Sequence, residues 1–559
     1  MNLFDRAKLL AHILRWRLTW DRRDTGYHPP EPLPDKFKSA RAAVAMIPDG
    51  ACVISCGISG NARCSIFFWA VRERFEQSGH PKKLTWISIG GQGGRGRAPG
   101  TVEEVGLDGL VTRYIAGHLE TAKSMLCLAE AGRLELHTLP QGEMVHVVEA
   151  QGRGEYQVRS RTGVGTFLDT RVGRGTAVTP NATTQFAEAD GDAIVYTLPP
   201  IDVALFNAPS ADRDGNIYFK NAATITENVE AARAARRNGG LVLVSVAGLI
   251  DRDDASIGLA ADEVDVVVIN PRNEQTGSVR QHRHWPMFTA GANVDACEAM
   301  AQLRFINNTL GITSRRSAPD EALARLGVKT FTENVPADAT VNIGVGLAEE
   351  VCRLLYEGPS GQQITFTTES GPFGGLPAPG IFFGAAINPQ RLESSAWMFH
   401  HYRDHLDAAM LGFLQLDSDG NINLSNRGPR MLDYVGPGGA PSIIDSANTV
   451  LFIGKWMVGA KVSIVGDRLR VDKPGKPKVV DKVDEVTFNG RIGLELGKKI
   501  FYVTDLAVLE LTEAGLTLRA VMPGIDIERD LLANTSAKII VPSDPAPEVV
   551  PASIVTGKE

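Results

Sequence analysis

The chain has 559 residues, 43% hydrophobic and 22% charged, with a formal net charge of −7 and a pI near 6.0. That length is too great for one ordinary hydrophobic core, so at least two large domains are expected. The acid balance argues against a general nucleic-acid binder, and neither a secretory signal nor an apolar run long enough to span a membrane is legible.

Residues 1–35 read as an amphipathic extension. Leu10, Ile13, Leu14 and Leu18 fall at helical spacing, with Arg15, Arg17 and other charges between them. A helix docked on the body or on a neighbouring subunit is the expectation; a membrane-surface helix is the alternative. PDGACVISCGISG, from Pro48, reads as a turn, a buried strand and a glycine-rich exit. KLTWISIGG is a second strand, and GQGGRGR after it is a tight turn or a phosphate-binding nest, not a dinucleotide fingerprint. Cys52, Cys56 and Cys64 crowd this region without a nearby His or a Cys-x-x-Cys pair, so reduced thiols are expected and no metal site.

From Ile201 the text IDVALFNAPSADRDGNIYFKN returns at Leu406 as LDAAMLGFLQLDSDGNINLSN. The two align without a gap, sharing Asp202/Asp407, Asp212/Asp417, Asp214/Asp419, Gly215/Gly420, Asn216/Asn421 and Ile217/Ile422. D-x-D-G-N is a turn signature; a calcium loop would need further oxygen ligands and a distal Glu. A weaker echo joins PDGACVISCGISG to PADATVNIGVG, from Pro336, so the chain is read as built twice. The halves are expected at 36–312 and 318–542, meeting where NNTLGITSRRSAPD loses hydrophobic periodicity.

The runs GLVLVSV, VDVVVIN, TVLFIG and KIFYVTDLAVLEL suit buried strands. A helix is expected from Thr224, capped by its hydroxyl with Glu227 reaching back, to Gly239-Gly240. The fold class is therefore α/β, with mainly parallel sheets. KVVDKVDEVTFNG suggests some antiparallel content late in the chain, and the Pro-rich tail at 543–559 is expected to lack fixed structure.

ITFTTESGPFGGLPAPGIFFG, from Ile364, places Glu369 directly after an apolar strand and before a crowd of glycines and prolines. α/β proteins place ligands at the carboxyl ends of strands, and glycine lets a substrate approach closely. From spacing alone two readings stand: a turn-capping carboxylate or a functional one. TFTEN, from Thr330, looks superficially similar, but its Glu333 precedes a turn at Pro336 and lacks the glycines.

The segment TTESGPFGGLPAPGIFFGAAINP resembles the active-site segment of the family I coenzyme A transferases, in particular the propionate/acetate branch with both halves fused. Further blocks stand in the family's order: GQGGRGR, LPQG at Leu139, GVGTFLDTR from Gly163, VNIGVGLAEEV at Val341, GPGGA at Gly436 and PGIDIERDLLA from Pro523. The resemblance implies two related CoA-transferase domains, the second carrying the nucleophile. It implies a transferase that exchanges CoA between an acyl-CoA and a small carboxylic acid of short-chain fatty acid metabolism, through anhydride and glutamyl-CoA thioester intermediates on Glu369. Asn342, Gly439 and Gln141 are implied as its catalytic partners. Gly344, Val345, Gly346, Leu347, Ala348, Val435, Gly438 and Gly439 are implied as CoA contacts. CoA would be a substrate, with no tightly bound cofactor, and a cytoplasmic homo-oligomer is expected. An acyl-CoA hydrolase and a non-catalytic acyl-CoA-binding protein on the same scaffold are the alternatives.

Two places depart from the family pattern. HYRDHLD, around Tyr402, stands where relatives carry a glycine run, and Gly60-Asn61 is followed by Ala-Arg-Cys-Ser rather than Gly-His-Pro-Glu-Glu. Drift on a loop is one reading; an acyl pocket altered by Arg63, Arg403 or His405 is the other.

Overall fold

The computed structural model describes residues 1–94, 98–313, 315–359, 361 and 363–558. Its first sheet begins with β1 (Cys52–Ser55), β2 (Leu84–Ser88), β3 (Val111–Ala116) and β4 (Glu135–Thr138). It continues through β5 (Val203–Ala211), the short β6 (Ile217–Tyr218), β7 (Leu241–Leu249) and β8 (Val266–Ile269). The order β8-β7-β5-β1-β2-β3-β4 is parallel throughout, with β6 folded back antiparallel onto β5. Strands buried on both faces need continuous apolar text, which CVIS and VVVI supply.

The second sheet repeats this plan with β9 (Thr340–Ile343), β10 (Thr365–Thr367), β11 (Ala408–Gly412), β12 (Thr449–Gly454) and β13 (Lys499–Thr504). These lie parallel in the order β10-β9-β11-β12-β13. The antiparallel strands β14 (Ala507–Thr512) and β15 (Gly515–Val521) follow. The run KIFYVTDLAVLEL is therefore two strands, β13 and β14, turning at Asp505. The late antiparallel content lies there, in the hairpin Lys461–Lys473 and in the pairing of Met457–Val458 with Lys476–Pro477. Within KVVDKVDEVTFNG, Phe488 bridges Ile422 antiparallel, while Val479–Val480 pairs parallel with Gln415–Asp417.

Repeated residues do repeated work. Asp202 accepts the N–H of Cys52 at 2.7 Å, and Asp407 that of Thr340 at 2.9 Å, so each fastens the start of a central strand. Asp212 gathers the backbone N–H groups of Asp214, Gly215 and Asn216, and Asp417 those of Asp419 and Asn421. Both D-x-D-G-N segments are side-chain-closed turns, because a carboxylate two to four residues upstream satisfies donors that no strand can reach.

The helices that position the site are introduced here in chain order. α1 (Leu3–Arg17) packs on the body through Leu9 and Ile13, whereas Leu10, Leu14 and Leu18 face solvent. α2 (Gln141–Arg153) packs against α3 (Asn228–Arg237). The expected cap of α3 is not formed: the helix starts at Asn228, the Thr224 hydroxyl is buried without capping it, and Glu227 turns its carboxyl inward. Burial raises that carboxyl to about 8, so the group that was to accept cap N–H bonds is instead a buried acid. α4 (Ala296–Leu310) and α5 (Ala318–Asn334) bracket the junction between the sheets, with a capping box of Ser317 and Asp320 opening α5. α6 (Leu347–Glu357) and α7 (Ser395–His405) belong with the second sheet.

The tail departs from expectation. Glu548–Val549 forms β16 alongside β15, and α8 (Ala552–Thr556) buries Val555, while the Arg325 guanidinium donates to the carbonyls of Ile554 and Val555 at 2.7 and 2.8 Å. Proline content signalled disorder, but a strand edge and a cation aimed at a helix C-terminus override it. Among the described residues no helix is long and apolar enough to cross a membrane.

Candidate active site

Glu369 lies two residues beyond β10, where Gly371, Gly374 and Gly375 adopt φ of +132°, +76° and +77°. The turn is closed by main chain, with Gly371 N–H on the Thr368 carbonyl at 3.1 Å. The carboxylate is not needed as a cap. It reaches across to β9 and accepts from Asn342 Nδ2 at 3.3 Å. Glu369 is 9% exposed. Burial pushes its pKa up, opposed by hydrogen bonds from its own backbone and from Asn342.

Asn342, fully buried on β9, divides its amide between that carboxylate and the Tyr402 hydroxyl at 3.1 Å. Tyr402 in turn donates to Thr367 Oγ1 at 3.0 Å. Burial and the nearby Glu369 drive the phenol pKa upward, so Tyr402 stays a donor. This relay from α7 to β10 fixes the orientation of Asn342, and sequence reasoning did not place Tyr402 in it. The available signal was periodic: Ser395, Met398, Phe399 and Tyr402 share the buried face of one helix, and a polar-tipped aromatic there needs partners.

The opposite wall comes from the first half of the chain. Gln141, first residue of α2, donates its backbone N–H to the Gly438 carbonyl at 2.9 Å, and Gly438 N–H bonds the Gly117 carbonyl at 2.8 Å. Leu119 N–H is held by Val435 at 2.7 Å. A Cβ built on Gly439 would stand 3.5 Å from Glu369 Cγ and 3.4 Å from Gln141 Oε1. Glu369, Asn342, Gln141, Gly438 and Gly439 thus converge, although they are spread from residue 141 to 439. Gly344 to Ala348 leaves β9 at the same sheet end. There Gly344 N–H bonds the Met410 carbonyl, Val345 is exposed, and Gly346 takes φ +104° with open space beside it. Arg316 donates to the Gly346 carbonyl at 2.8 Å, and Glu349 just behind is raised to about 7 by burial.

Residues 37–246 match the family described as Coenzyme A transferase. A caffeate CoA-transferase of Acetobacterium woodii is 32% identical over 509 residues, covering 89% of this chain and 93% of that protein. The chain belongs to the coenzyme A transferase family. It is an enzyme of that class, and the acetate CoA-transferase YdiF of Escherichia coli K12 is 28% identical over 88% of this transferase and 90% of its own length. The fold agrees. Crystal structures of the acyl-CoA transferase YdiF from E. coli O157:H7 match as the apoenzyme (TM-score 0.79, 24% identity) and as a thioester complex with CoA (TM-score 0.81, 23% identity). Each covers 94% of this transferase and 97% of that chain.

Neither departure from the family pattern brings a new side chain to Glu369. Arg403, Asp404 and His405 continue α7 on its exposed face, while Tyr402 alone turns inward. Arg63 pairs with Glu274 at 3.0 Å, both side chains about nine-tenths buried, and also donates to Ser65. Arg63→Met is therefore expected to destabilise the fold by about 3–5 kcal/mol, because Glu274 would be left buried without its partner. Thermal unfolding and acyl transfer assayed together check this; a changed acyl preference at unaltered stability would contradict it. Glu333, at the end of α5, is exposed and ion-paired to Lys329. In GQGGRGR, Arg95 to Arg97 lie outside the described residues; Gln92 is buried and bonds Ser55 and Gly57, and a Cβ on Gly93 would overlap the Thr121 carbonyl.

Proposed function

We propose that this transferase exchanges CoA between an acyl-CoA and a carboxylic acid by a ping-pong reaction on Glu369. One observation carries the reading: a buried carboxylate at a parallel strand's end, held by Asn342 and faced by the Gly438–Gly439 backbone. A Glu369 oxygen attacks the thioester carbonyl, the C–S bond breaks, and CoA leaves as its thiolate, giving a mixed anhydride. The thiolate attacks the glutamyl carbonyl, the first acid leaves as carboxylate, and a glutamyl-CoA thioester remains. A second carboxylate reverses the sequence. Dividing one acyl exchange into such steps lowers each barrier.

Each tetrahedral intermediate needs a donor aimed at its oxyanion, worth about 3–4 kcal/mol apiece. We assign Gly439 N–H to the glutamyl oxyanion and Asn342 to the thioester-derived one, with Gln141 packed beside both. The exposed Val345 and the Gly344–Ala348 turn, with Val435 and Gly438 opposite, are assigned to CoA. Remote binding of the nucleotide would then hold the thioester against Glu369. The halves 36–312 and 318–542 are read as two CoA-transferase domains, each supplying one wall of this site.

Incubation with acetyl-CoA and a panel of alkyl and aryl carboxylic acids, including propionate and caffeate, tests the reading. New CoA esters that appear only with acceptor support it; free CoA released equally without acceptor would indicate hydrolysis instead. The reading also fixes a pH response. An attacking Glu369 must be ionised, and burial raises its pKa above the ordinary glutamate range near 4.3. The rate of CoA-adduct formation from acyl-CoA alone should rise with pH through a midpoint above that range, then level off. A midpoint at or below it would contradict the burial argument.

A further inference from the structure

α1 carries none of the residues assigned to the transfer site, and its surface is unusual for this molecule. Six of the eighteen exposed large hydrophobics among the described residues lie in the first eighteen positions, with Leu3 85%, Phe4 67%, Leu14 61% and Leu18 65% exposed. The helix is not loose. Asn2 caps it through the Asp5 N–H, Leu9 and Ile13 are buried, and His12 packs on Trp285 with 5.1 Å between ring centroids and reaches Ser278 at 3.4 Å. One edge, at positions 9, 12, 13 and 16, is clamped to the body.

At about 100° per residue, the opposite sector runs through Leu10, Leu3, Leu14, Leu18 and Phe4, with Ala7 and Ala11 between them. Cations border it on both sides: Arg6 and Arg17 along one flank, Lys8 and Arg15 along the other. The nearest carboxylate of the helix, Asp5, projects from the far side. Lys8 lies over the Phe4 ring at 4.1 Å, and Arg17 over Trp20 at 4.2 Å, so both cations travel along apolar surface rather than away from it. A second copy seated on this stripe would set flank against flank with like charges in either orientation, which is destabilising. An anionic bilayer answers both features: hydrocarbon for the stripe and lipid phosphate for two rows of cations.

We propose that α1 is a peripheral anchor, clamped to the enzyme by one edge while its Leu3–Leu18 stripe enters the headgroup boundary of an anionic membrane. Co-sedimentation of the full-length protein with phosphatidylglycerol/phosphatidylcholine vesicles, and with phosphatidylcholine alone, tests this. Binding to the anionic vesicles should be at least about tenfold tighter and weaken with salt, as expected for several cations near a charged surface. Leu10→Glu/Leu14→Glu should abolish it while leaving acyl transfer in solution unchanged, and Lys8→Gln/Arg15→Gln should lower it and flatten the salt response. Retained acyl transfer shows that each variant has folded. Failure of the wild type to bind, or binding untouched by the paired glutamates, overturns the proposal. So does a fall in solution mass on those substitutions, which would identify the stripe as a contact between copies.

Discussion

Glu369→Gln is expected to lower kcat/KM by about 10⁴-fold or more, as loss of a covalent nucleophile typically does. In parallel, a CoA-sized adduct is expected in the intact mass of the wild-type chain treated with acyl-CoA, and it should be missing from that of the variant. The same substitution should leave the folded state no less stable at neutral pH. Burial raises the Glu369 pKa, so the folded chain holds that proton more tightly than the unfolded chain does. Ionisation therefore costs stability as pH rises from the unfolded pKa, and the cost is complete once pH passes the folded value. Glutamine removes it and can still accept from Asn342. A melting temperature equal to or above wild type, with activity lost, is the expected pair. Full activity in the variant would remove Glu369 from the chemistry; a large fall in melting temperature would mean that the carboxylate holds the fold.

The duplicated architecture was legible because its signals are local. An Asp that gathers two or three backbone N–H groups of its own turn must stand just upstream of it, so the spacing of Asp212–Asn216 and Asp417–Asn421 survives as text. Buried parallel strands leave apolar runs for the same reason. From spacing alone Glu369 was legible as a residue but not as a role, since a carboxylate before glycines reads equally as a cap. The resemblance supplied the role, and the main-chain closure on Thr368 removes the need for a cap. Family resemblance brought Asn342, Gly439 and Gln141 forward, yet their meeting rests on contacts across some three hundred positions, which periodicity does not carry.

Three misreadings share a cause. Thr224 and Glu227 matched a capping pattern, but tertiary packing drew Glu227 into the interior. Proline content in the tail gave no hint of the edge that β15 offers, nor of Arg325. Tyr402 was met only as a landmark beside a missing glycine run, although α7, on whose buried face it lies, carries its hydroxyl to Asn342. In each case long-range packing decided against a sound local preference.

The two glycines facing Glu369 are present for different physical reasons, and this gives the second expected result. Gly438 has φ +60° with nothing near a would-be Cβ; Gly439 has φ −79° and ψ −11°, a conformation any residue adopts. A methyl on Gly439 would instead meet Ile443 Cδ1 at 3.1 Å, Gln141 Oε1 at 3.4 Å and Glu369 Cγ at 3.5 Å. Gly438→Ala should thus cost about 1 kcal/mol of stability through backbone strain, with kcat within about threefold of wild type. Gly439→Ala should reverse the pattern. Its backbone is unstrained and only the flexible end of Ile443 must give by a few tenths of an ångström, so melting should change little. The methyl, however, fills the space beside Glu369 Cγ through which a tetrahedral glutamyl centre would reach the donor assigned to it, and kcat should fall about 10²–10³-fold. Circular-dichroism melts beside single-turnover adduct formation separate the two. Equal losses of activity in both variants would mean that the loop acts as a rigid unit; no loss in Gly439→Ala would move the oxyanion donor elsewhere.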